Sequence, residues 1–265
     1  MKVFISADIE GIATTATWPE THITEAWFGH FAEQMTKEVA AACEGAIAAG
    51  AKQIVVKDAH ATGTNIDANR LPDCVTLIRG WSGHPYSMVD GIDGTFDAAM
   101  FVGYHSAAGS GGSPLSHTMS DSPALITING VQTSEFLLYS YAAAFEGVPT
   151  VFLSGDKKLC EQAQELHPLL KTVAVKEGFG GAVKCISPQK ALKQIREEAE
   201  KALKQPLAQA KIQLPGKFEM TIRYKEHVRS SASEYYPGMR RVDETALAFE
   251  TNDYFEILRA FRFVL

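Results

Sequence analysis

Two carboxylate residues, Asp8 and Glu10, lie where the first apolar stretch of this sequence ends. The stretch starts at Val3 and has the apolar character of a buried strand. In an extended chain, residues i and i+2 project from the same face, so the two carboxylates can converge on one point. Burying them together is costly unless a proton or a cation compensates their charge. The pattern predicts a metal site, and the alternative is a strand whose acidic end lies in water.

Asp58, His60 and His105 also follow short apolar stretches of the sequence. Open α/β sheets bind their ligands in the crevice outside the carboxyl ends of the strands. Imidazole and carboxylate are the ligands expected for zinc, manganese, iron or cobalt at a hydrolytic site. With Asp8 and Glu10 these residues make five candidate ligands, more than one catalytic zinc takes. We therefore expect two metal ions that share a bridging carboxylate.

Glu135 and His117 are further candidates whose positions are less informative. Glu135 falls in the first turn of a predicted helix, where the backbone dipole favours an acidic residue without any ligand role. His117 lies in a polar loop, where a neutral imidazole can act as an acid, a base or an orienting donor. The remaining histidines have no such neighbours and are expected to be structural or exposed: His22, His30, His84, His167 and His227.

The elements that would position these residues alternate along the chain. Compact apolar or β-branched stretches predict further strands at residues 53–57, 75–78, 98–102, 150–153 and 172–175. Apolar spacing and capping residues predict helices over residues 24–49, 135–146, 157–166 and 188–204. Asn129-Gly130 predicts a tight turn between two short strands. The glycine-rich residues 106–114 lack the Lys-Ser/Thr pair of a phosphate loop and predict a flexible lid.

This alternation predicts an α/β fold with a largely parallel sheet flanked by helices. The composition changes near residues 206–215, and the strands and closing helix predicted beyond it suit a smaller C-terminal α+β lobe. We expect residues 1–205 to form the metal-binding catalytic domain and residues 206–265 the smaller lobe. The alternative is that both segments belong to one continuous domain.

The composition excludes several classes of partner. The net charge is −6 over 265 residues, and no basic tract would attract nucleic acid or an anionic membrane. No apolar run is long enough to span a bilayer, and the early carboxylates interrupt any secretory signal. The four cysteines are scattered without a C-x-x-C pair. They predict reduced thiols and a cytoplasmic protein.

Several motifs, in this order and spacing, resemble the landmarks of the zinc-dependent D-aminopeptidases. The resemblance covers residues 1–204 well and the remainder more loosely. The motifs are Ala7-Asp8-Ile9-Glu10-Gly11-Ile12, Asp58-Ala59-His60, Gly94-Thr95-Phe96, Gly103-Tyr104-His105, Ser116-His117-Thr118-Met119 and Ala182-Val183-Lys184-Cys185-Ile186-Ser187-Pro188. The resemblance implies that His117 is catalytic. It also implies that two zinc ions are bound by Asp8, Glu10, His60, His105 and Glu135.

The same resemblance implies an activity and an assembly. The activity is hydrolysis of short peptides with N-terminal D-amino acids, such as D-Ala-D-Ala, by an activated water or by His117. The assembly is a homodecamer of two stacked pentamers. Residues 13–17 and 106–115 depart from the family pattern, so D over L preference and peptide length do not follow from it. The alternatives are another dinuclear hydrolase, such as an amidase or phosphoesterase, and a non-catalytic metal-containing ring that binds peptides.

Overall fold

A computed structural model describes all 265 residues of the chain. It contains two β-sheets and six α-helices. The strands in chain order are β1 (Lys2–Ala7), β2 (Gln53–Asp58), β3 (Val75–Ile78), β4 (Ala98–Tyr104), β5 (Pro123–Ile128), β6 (Val131–Gln132), β7 (Thr150–Asp156), β8 (Lys171–Phe179), β9 (Ala182–Cys185), β10 (Phe218–Tyr224), β11 (Arg240–Arg241) and β12 (Ala246–Thr251). The helices are α1 (Phe28–Ala48), α2 (Glu135–Phe145), α3 (Lys157–Leu166), α4 (Pro188–Lys204), α5 (His227–Ser233) and α6 (Tyr254–Val264).

The larger sheet has seven strands in the order β3-β2-β1-β4-β7-β8-β9. All neighbours are parallel except β8 and β9, which are antiparallel at one edge. The central strands β4 and β7 are buried along their whole length, as expected for a parallel sheet covered on both faces. The predicted α/β fold with a largely parallel sheet is confirmed.

Each face of this sheet packs against its own layer. Val3 and Ile5 of β1 belong to a core shared with α1 and α4. Phe4, between them, points into a second core with α2, α3, α6 and the smaller sheet. Successive strand residues alternate between faces, so one apolar strand serves both cores. None of the helices is long and apolar enough to cross a membrane.

The smaller sheet is antiparallel, in the order β11-β12-β10-β5-β6. Its first two strands in the chain, β5 and β6, form the hairpin predicted from Asn129-Gly130, and both turn residues have positive φ, 51° and 78°. β10 and β12 come from the C-terminal segment, and β10 pairs directly with β5. The C-terminal segment thus shares a sheet with residues 123–132, and a domain boundary at residue 205 stays a prediction.

Candidate metal centre

Asp8 and Glu10 lie in the turn that directly follows β1, at the carboxyl edge of the large sheet. The backbone here continues along β4, because Asp8 N donates to Val102 O at 2.9 Å and Gly11 N to Gly103 O at 2.8 Å. A Cβ atom at Gly11 would lie 1.8 Å from Tyr104 O, so only glycine allows this close approach. The close approach fixes both carboxylates against the end of β4.

His60 reaches the same point from the end of β2. Its Nδ1 lies 3.2 Å from Asp8 Oδ1 and 3.0 Å from Glu10 Oε2. Its Nε2 lies 2.8 Å from the carbonyl oxygen of Thr21. A carbonyl oxygen can only accept a hydrogen bond, so Nε2 carries the proton. Nδ1 of the neutral ring therefore presents a free lone pair to the two carboxylates.

His105 follows β4, and a backbone carbonyl orients its ring, as another does for His60. Its Nδ1 donates to Ser106 O at 3.0 Å, which leaves Nε2 without a proton in the neutral ring. Nε2 lies 3.5 Å from Asp8 Oδ2 and 3.3 Å from Glu135 Oε2. Ser106 is itself held by the carboxylate of Asp156, which accepts from its backbone N and its hydroxyl at 2.6 Å each. Such backbone and carboxylate partners are typical of the groups that orient a metal-binding histidine.

Glu135 begins α2, and its side chain turns into this cluster and away from solvent. Ser134 caps the helix by accepting from Leu137 N at 3.1 Å. Glu135 is therefore not needed as the cap, and its side chain is 4% exposed. Its Oε2 faces His105, while its Oε1 accepts from Met119 N at 2.6 Å. An acidic residue placed only for the helix dipole would point to water, so this position favours a ligand role.

His117 lies beside these residues with its ring held in place. Its Nδ1 donates to Leu115 O at 2.9 Å, and its Nε2 lies 3.6 Å from Glu135 Oε1. The ring stacks on His105 with centroids 4.2 Å apart and packs edge-on against Trp18 at 5.2 Å. With Nδ1 as the donor, Nε2 is free to accept a proton or to bind an ion.

The structure thus brings together six of the seven candidate site residues, all except Asp58. Five of them carry an oxygen or nitrogen atom that we assign to metal coordination, and we call these five the donor cluster: Asp8, Glu10, His60, His105 and Glu135. Their side chains are at most 7% exposed. Asp8 Oδ2, Glu10 Oε2 and His105 Nε2 are buried without any hydrogen-bond partner. Buried polar atoms are rarely left unpaired, so these three unpaired acceptor atoms indicate a missing partner.

The charges of the donor cluster identify that partner as a cation. Burial and the neighbouring charge of Glu10 raise the pKa of Asp8 to about 8. Although burial opposes the charged imidazole, Glu10 and Asp8 raise the pKa of His60 to about 11. Burial likewise opposes a charged His105, yet Glu135 and Asp8 raise its pKa to about 10. The cluster attracts protons because it is strongly negative, and a divalent cation can replace them.

The donor set fits zinc, which takes imidazole nitrogen and carboxylate oxygen. Two groups of three residues each bring their ligand atoms within 4.8 Å of one another, namely Asp8, Glu10, His105 and His105, His117, Glu135. The two oxygens of Asp8 face different histidines, His60 and His105. A carboxylate in this position could be shared by two cations, one beside each histidine.

Asp58, which the sequence pattern placed among the candidate ligands, has another role. Its carboxylate accepts from Asn65 N at 2.6 Å, Asn65 Nδ2 at 2.7 Å and Ile66 N at 2.8 Å. All of these bonds fix the loop between β2 and β3, which carries His60. Asp58 is therefore a structural residue of that loop, and the inclusion of Asp58 among the ligands was wrong.

The donor cluster opens into a cavity of about 460 Å³. Its walls include residues that the sequence analysis did not single out as functional: Trp18, His22, Trp81, Met119 and Arg262. They come from distant parts of the chain, and among them only Met119 belongs to a motif that the sequence analysis named. The glycine-rich residues 106–114, predicted as a flexible lid, are mostly buried, and Gly112 O accepts from Gly178 N at 3.1 Å.

A buried lysine holds the loop that carries Glu10, and the sequence analysis did not identify it. Lys176 of β8 is 3% exposed. Its Nζ donates to the backbone oxygens of Glu10 and Thr15, the latter at 2.6 Å. Its charge thus lies against carbonyl oxygens of the loop that carries Glu10. Burial lowers the pKa of Lys176 to about 8.

Comparison with known proteins agrees with this geometry. A family model described as D-aminopeptidase matches residues 1–263. A D-aminopeptidase of Bacillus subtilis (strain 168) is 29% identical over 265 residues, covering 98% of this chain and 95% of the relative.

Among solved structures, the chain is similar to the Zn-dependent D-aminopeptidase DppA from Bacillus subtilis, described as a self-compartmentalizing protease. The TM-score is 0.93 at 28% identity, and the match covers 100% of this chain and 96% of that structure. The family match spans both sheets and every residue of the donor cluster. The chain therefore belongs to the D-aminopeptidase family.

Proposed function

We propose that this chain is a zinc-dependent aminopeptidase that hydrolyses short peptides with an N-terminal D-amino acid. The observation that carries the proposal is the buried donor cluster, whose unpaired oxygen and nitrogen atoms converge at the base of an open cavity. The name of the similar enzyme, a Zn-dependent D-aminopeptidase, supports both the metal and the substrate class. D-Ala-D-Ala is the first substrate to test.

The ligands we assign to two zinc ions are Asp8, Glu10, His60, His105 and Glu135. Asp8 is the bridging carboxylate in this assignment, because its two oxygens face His60 and His105 separately. Bound zinc would supply Lewis-acid polarisation of the scissile carbonyl and a lowered pKa for a coordinated water. The backbone partners of His60 and His105 hold the outer ring nitrogens and aim the ligand nitrogens at the site.

His117 is the residue we assign to proton transfer. It lines the cavity, and its side chain is 16% exposed, so it can reach both substrate and solvent. Leu115 O holds the Nδ1 proton, so Nε2 is available to accept a proton from water and later to donate it to the leaving amine. Direct attack by the same nitrogen is the other role consistent with this orientation.

The walls of the cavity hold the peptide and limit the access of water. Trp18 packs against the ring of His117, and Trp81 Nε1 donates to Ala61 O at 2.7 Å. Trp81 is also held by Lys57, whose Nζ lies 4.0 Å from its ring centroid. The two indoles thereby form rigid apolar surfaces beside the donor cluster, suited to aliphatic side chains of a short peptide.

We also propose that the chain assembles as a homodecamer of two stacked pentamers in the cytoplasm. The description of the similar enzyme as self-compartmentalizing supports an enclosed assembly. Several large side chains are unusually exposed in the single chain: Trp27, Val228, Tyr235 and Phe263. The four cysteines are all free, as expected in a reducing compartment. Light scattering should give the mass of ten chains of 28.8 kDa each.

The activity test compares zinc-loaded and chelated enzyme on D-Ala-D-Ala, L-Ala-L-Ala and p-nitrophenyl phosphate. We expect turnover of the D-dipeptide only, lost with chelator and restored by zinc. Cleavage of the phosphate ester alone would identify a phosphoesterase on the same scaffold. Zinc binding without turnover of any peptide would contradict the proposal and favour a peptide-binding protein.

A further inference from the structure

One residue that lines the cavity above the donor cluster carries a permanent positive charge. Its lining includes four acidic residues, three of them in the donor cluster, and Arg262 from the last turn of α6. Arginine is always protonated in proteins, whereas the imidazoles of the site are neutral when they bind metal. Arg262 therefore marks the place in the cavity where a fixed anionic group is favoured.

Arg262 is free to bind such a group. It forms none of the ion pairs of this chain, whereas Arg259, one turn earlier on the same helix, pairs with Glu256. Every other arginine except Arg79 and Arg229 also pairs with an acidic side chain. An unpaired guanidinium at the wall of a cavity has its five donors available to a ligand.

Arg262 lies where the main cavity meets a second, apolar cavity of about 150 Å³. Four residues line both cavities: Ser87, Met119, Ser120 and Arg262. The lining of the second cavity includes the apolar side chains of Tyr139, Leu258 and Phe261. Its size and lining suit a small aliphatic side chain.

Met119 connects this second cavity to the donor cluster. Its backbone N donates to Glu135 Oε1 at 2.6 Å, while the residue lines both cavities. Arg262 and the donor cluster thus line one cavity, with Met119 in contact with Glu135 between the two cavities. In a dipeptide the terminal carboxylate follows the scissile bond by one residue, roughly 3.5 Å of extended chain.

We propose that Arg262 binds the free C-terminal carboxylate of a dipeptide substrate, while the side chain of its C-terminal residue occupies the second cavity. Guanidinium and carboxylate form paired, charge-assisted hydrogen bonds, which give orientation as well as affinity. The preferred substrates are then dipeptides with a free carboxylate and a small aliphatic C-terminal residue. This inference rests on the proposed function and assigns a specificity residue to it.

The test compares D-Ala-D-Ala with D-Ala-D-alaninamide, which differs only in lacking the carboxylate charge. In the wild-type zinc enzyme we expect kcat/KM to be about 10- to 100-fold higher for the free acid, the range of a charge-assisted pair. Arg262→Gln should remove this preference through a higher KM for the acid, with kcat and amide hydrolysis nearly unchanged. Arg262→Lys, which keeps the charge without the planar fork, should retain part of the preference.

Arg259→Gln is the matched control, because Arg259 is exposed on the same helix and does not line the cavity. It should keep the full preference, and zinc content and melting temperature should be equal in all variants. Equal cleavage of acid and amide by the wild type would overturn the role of Arg262 while leaving the aminopeptidase assignment intact. An equal loss on both substrates in Arg262→Gln would overturn it too. Hydrolysis of neither compound by the zinc-loaded wild type would refute the proposed function itself.

Discussion

Two buried charged clusters share the loop of residues 10–15, and they satisfy their charges in opposite ways. The donor cluster gathers three carboxylates and two imidazoles whose free atoms face one another. The second, which we call the support cluster, consists of Lys176, Glu38 and Gln34. Lys176 binds the carbonyl oxygens of Glu10 and Thr15, while Glu38 accepts from Ala13 N and Gln34 Nε2.

The two clusters differ in how many of their buried polar atoms find partners within the chain, and this difference distinguishes a binding site from a structural network. The support cluster places its donors opposite acceptors within the chain and leaves one atom, Glu38 Oε2, unpaired, whereas the donor cluster leaves three. In the donor cluster, backbone carbonyls hold the outer nitrogens of both histidines, so the inner nitrogens and the carboxylate oxygens face one another at the centre. Such a centre is costly to bury unless a cation enters it.

The largest expected effect follows from changing Asp8, the carboxylate that we propose is shared by two zinc ions. Asp8→Asn should lower kcat/KM by at least about 10³-fold, because the variant loses the ligand that we assign to both ions. The zinc-free variant should melt no lower than the zinc-free wild type, since asparagine resembles the protonated carboxyl that burial favours at Asp8. Kinetics and calorimetry check both results, and a lower melting temperature of the zinc-free variant would indicate a structural role.

His117→Ala separates catalysis from metal binding within the same site. Loss of a general acid–base should lower kcat by about 10²- to 10³-fold, while the zinc content stays at the wild-type value. His227→Ala is a suitable control, because His227 is exposed on α5 and does not line the cavity. If His117→Ala also loses zinc, then His117 is a ligand and the assignment to proton transfer is wrong.

In the support cluster, Lys176→Met should reduce stability whether or not zinc is bound. It leaves two buried carbonyl oxygens without a donor, which costs about 3 kcal/mol in the free energy of unfolding. Lys193→Met on α4 is the control, since its side chain is 75% exposed and should change stability by less than about 0.5 kcal/mol. Urea denaturation of the zinc-free proteins measures both, and equal stabilities would show that Lys176 contributes nothing to the fold.

The smallest expected effect is a change in stability with pH that is caused by Glu38. Burial raises its pKa to about 7, above its ordinary value of 4.5. Between these values the unfolded chain releases the proton and the folded chain keeps it, so stability falls as pH rises from about 4.5 to 7. Glu38→Gln resembles the protonated form and should remove about 2 kcal/mol of that fall. Melting curves across this pH range measure it, and parallel curves for the two proteins would contradict the assignment.

Much of the donor cluster was predictable because it follows local patterns. Apolar strands followed by acidic or imidazole residues identified Asp8, Glu10, His60 and His105, and the parallel sheet then brings the strand ends to one edge. Glu135 needed the family resemblance, since an acidic residue at a helix start is common for electrostatic reasons alone. The site assignments themselves stay predictions until zinc is measured.

Other parts were not predictable from local pattern. Lys176 meets Glu10 across 166 positions of sequence, and Arg262 reaches the cavity only because α6 packs beside α2. The periodicity around either residue describes its own strand or helix and says nothing of these distant partners. For Asp58 the local pattern was misleading. It predicted a metal ligand, whereas the carboxylate of Asp58 binds only within its own loop.

The most direct test of this account is the zinc content of protein purified without chelator or metal-affinity steps. Mass spectrometry of the metal should find about two zinc ions per chain, and Asp8→Asn should lose both. One ion per chain would contradict the bridging role of Asp8. No metal, even after incubation with excess zinc, would refute the donor cluster as a metal centre.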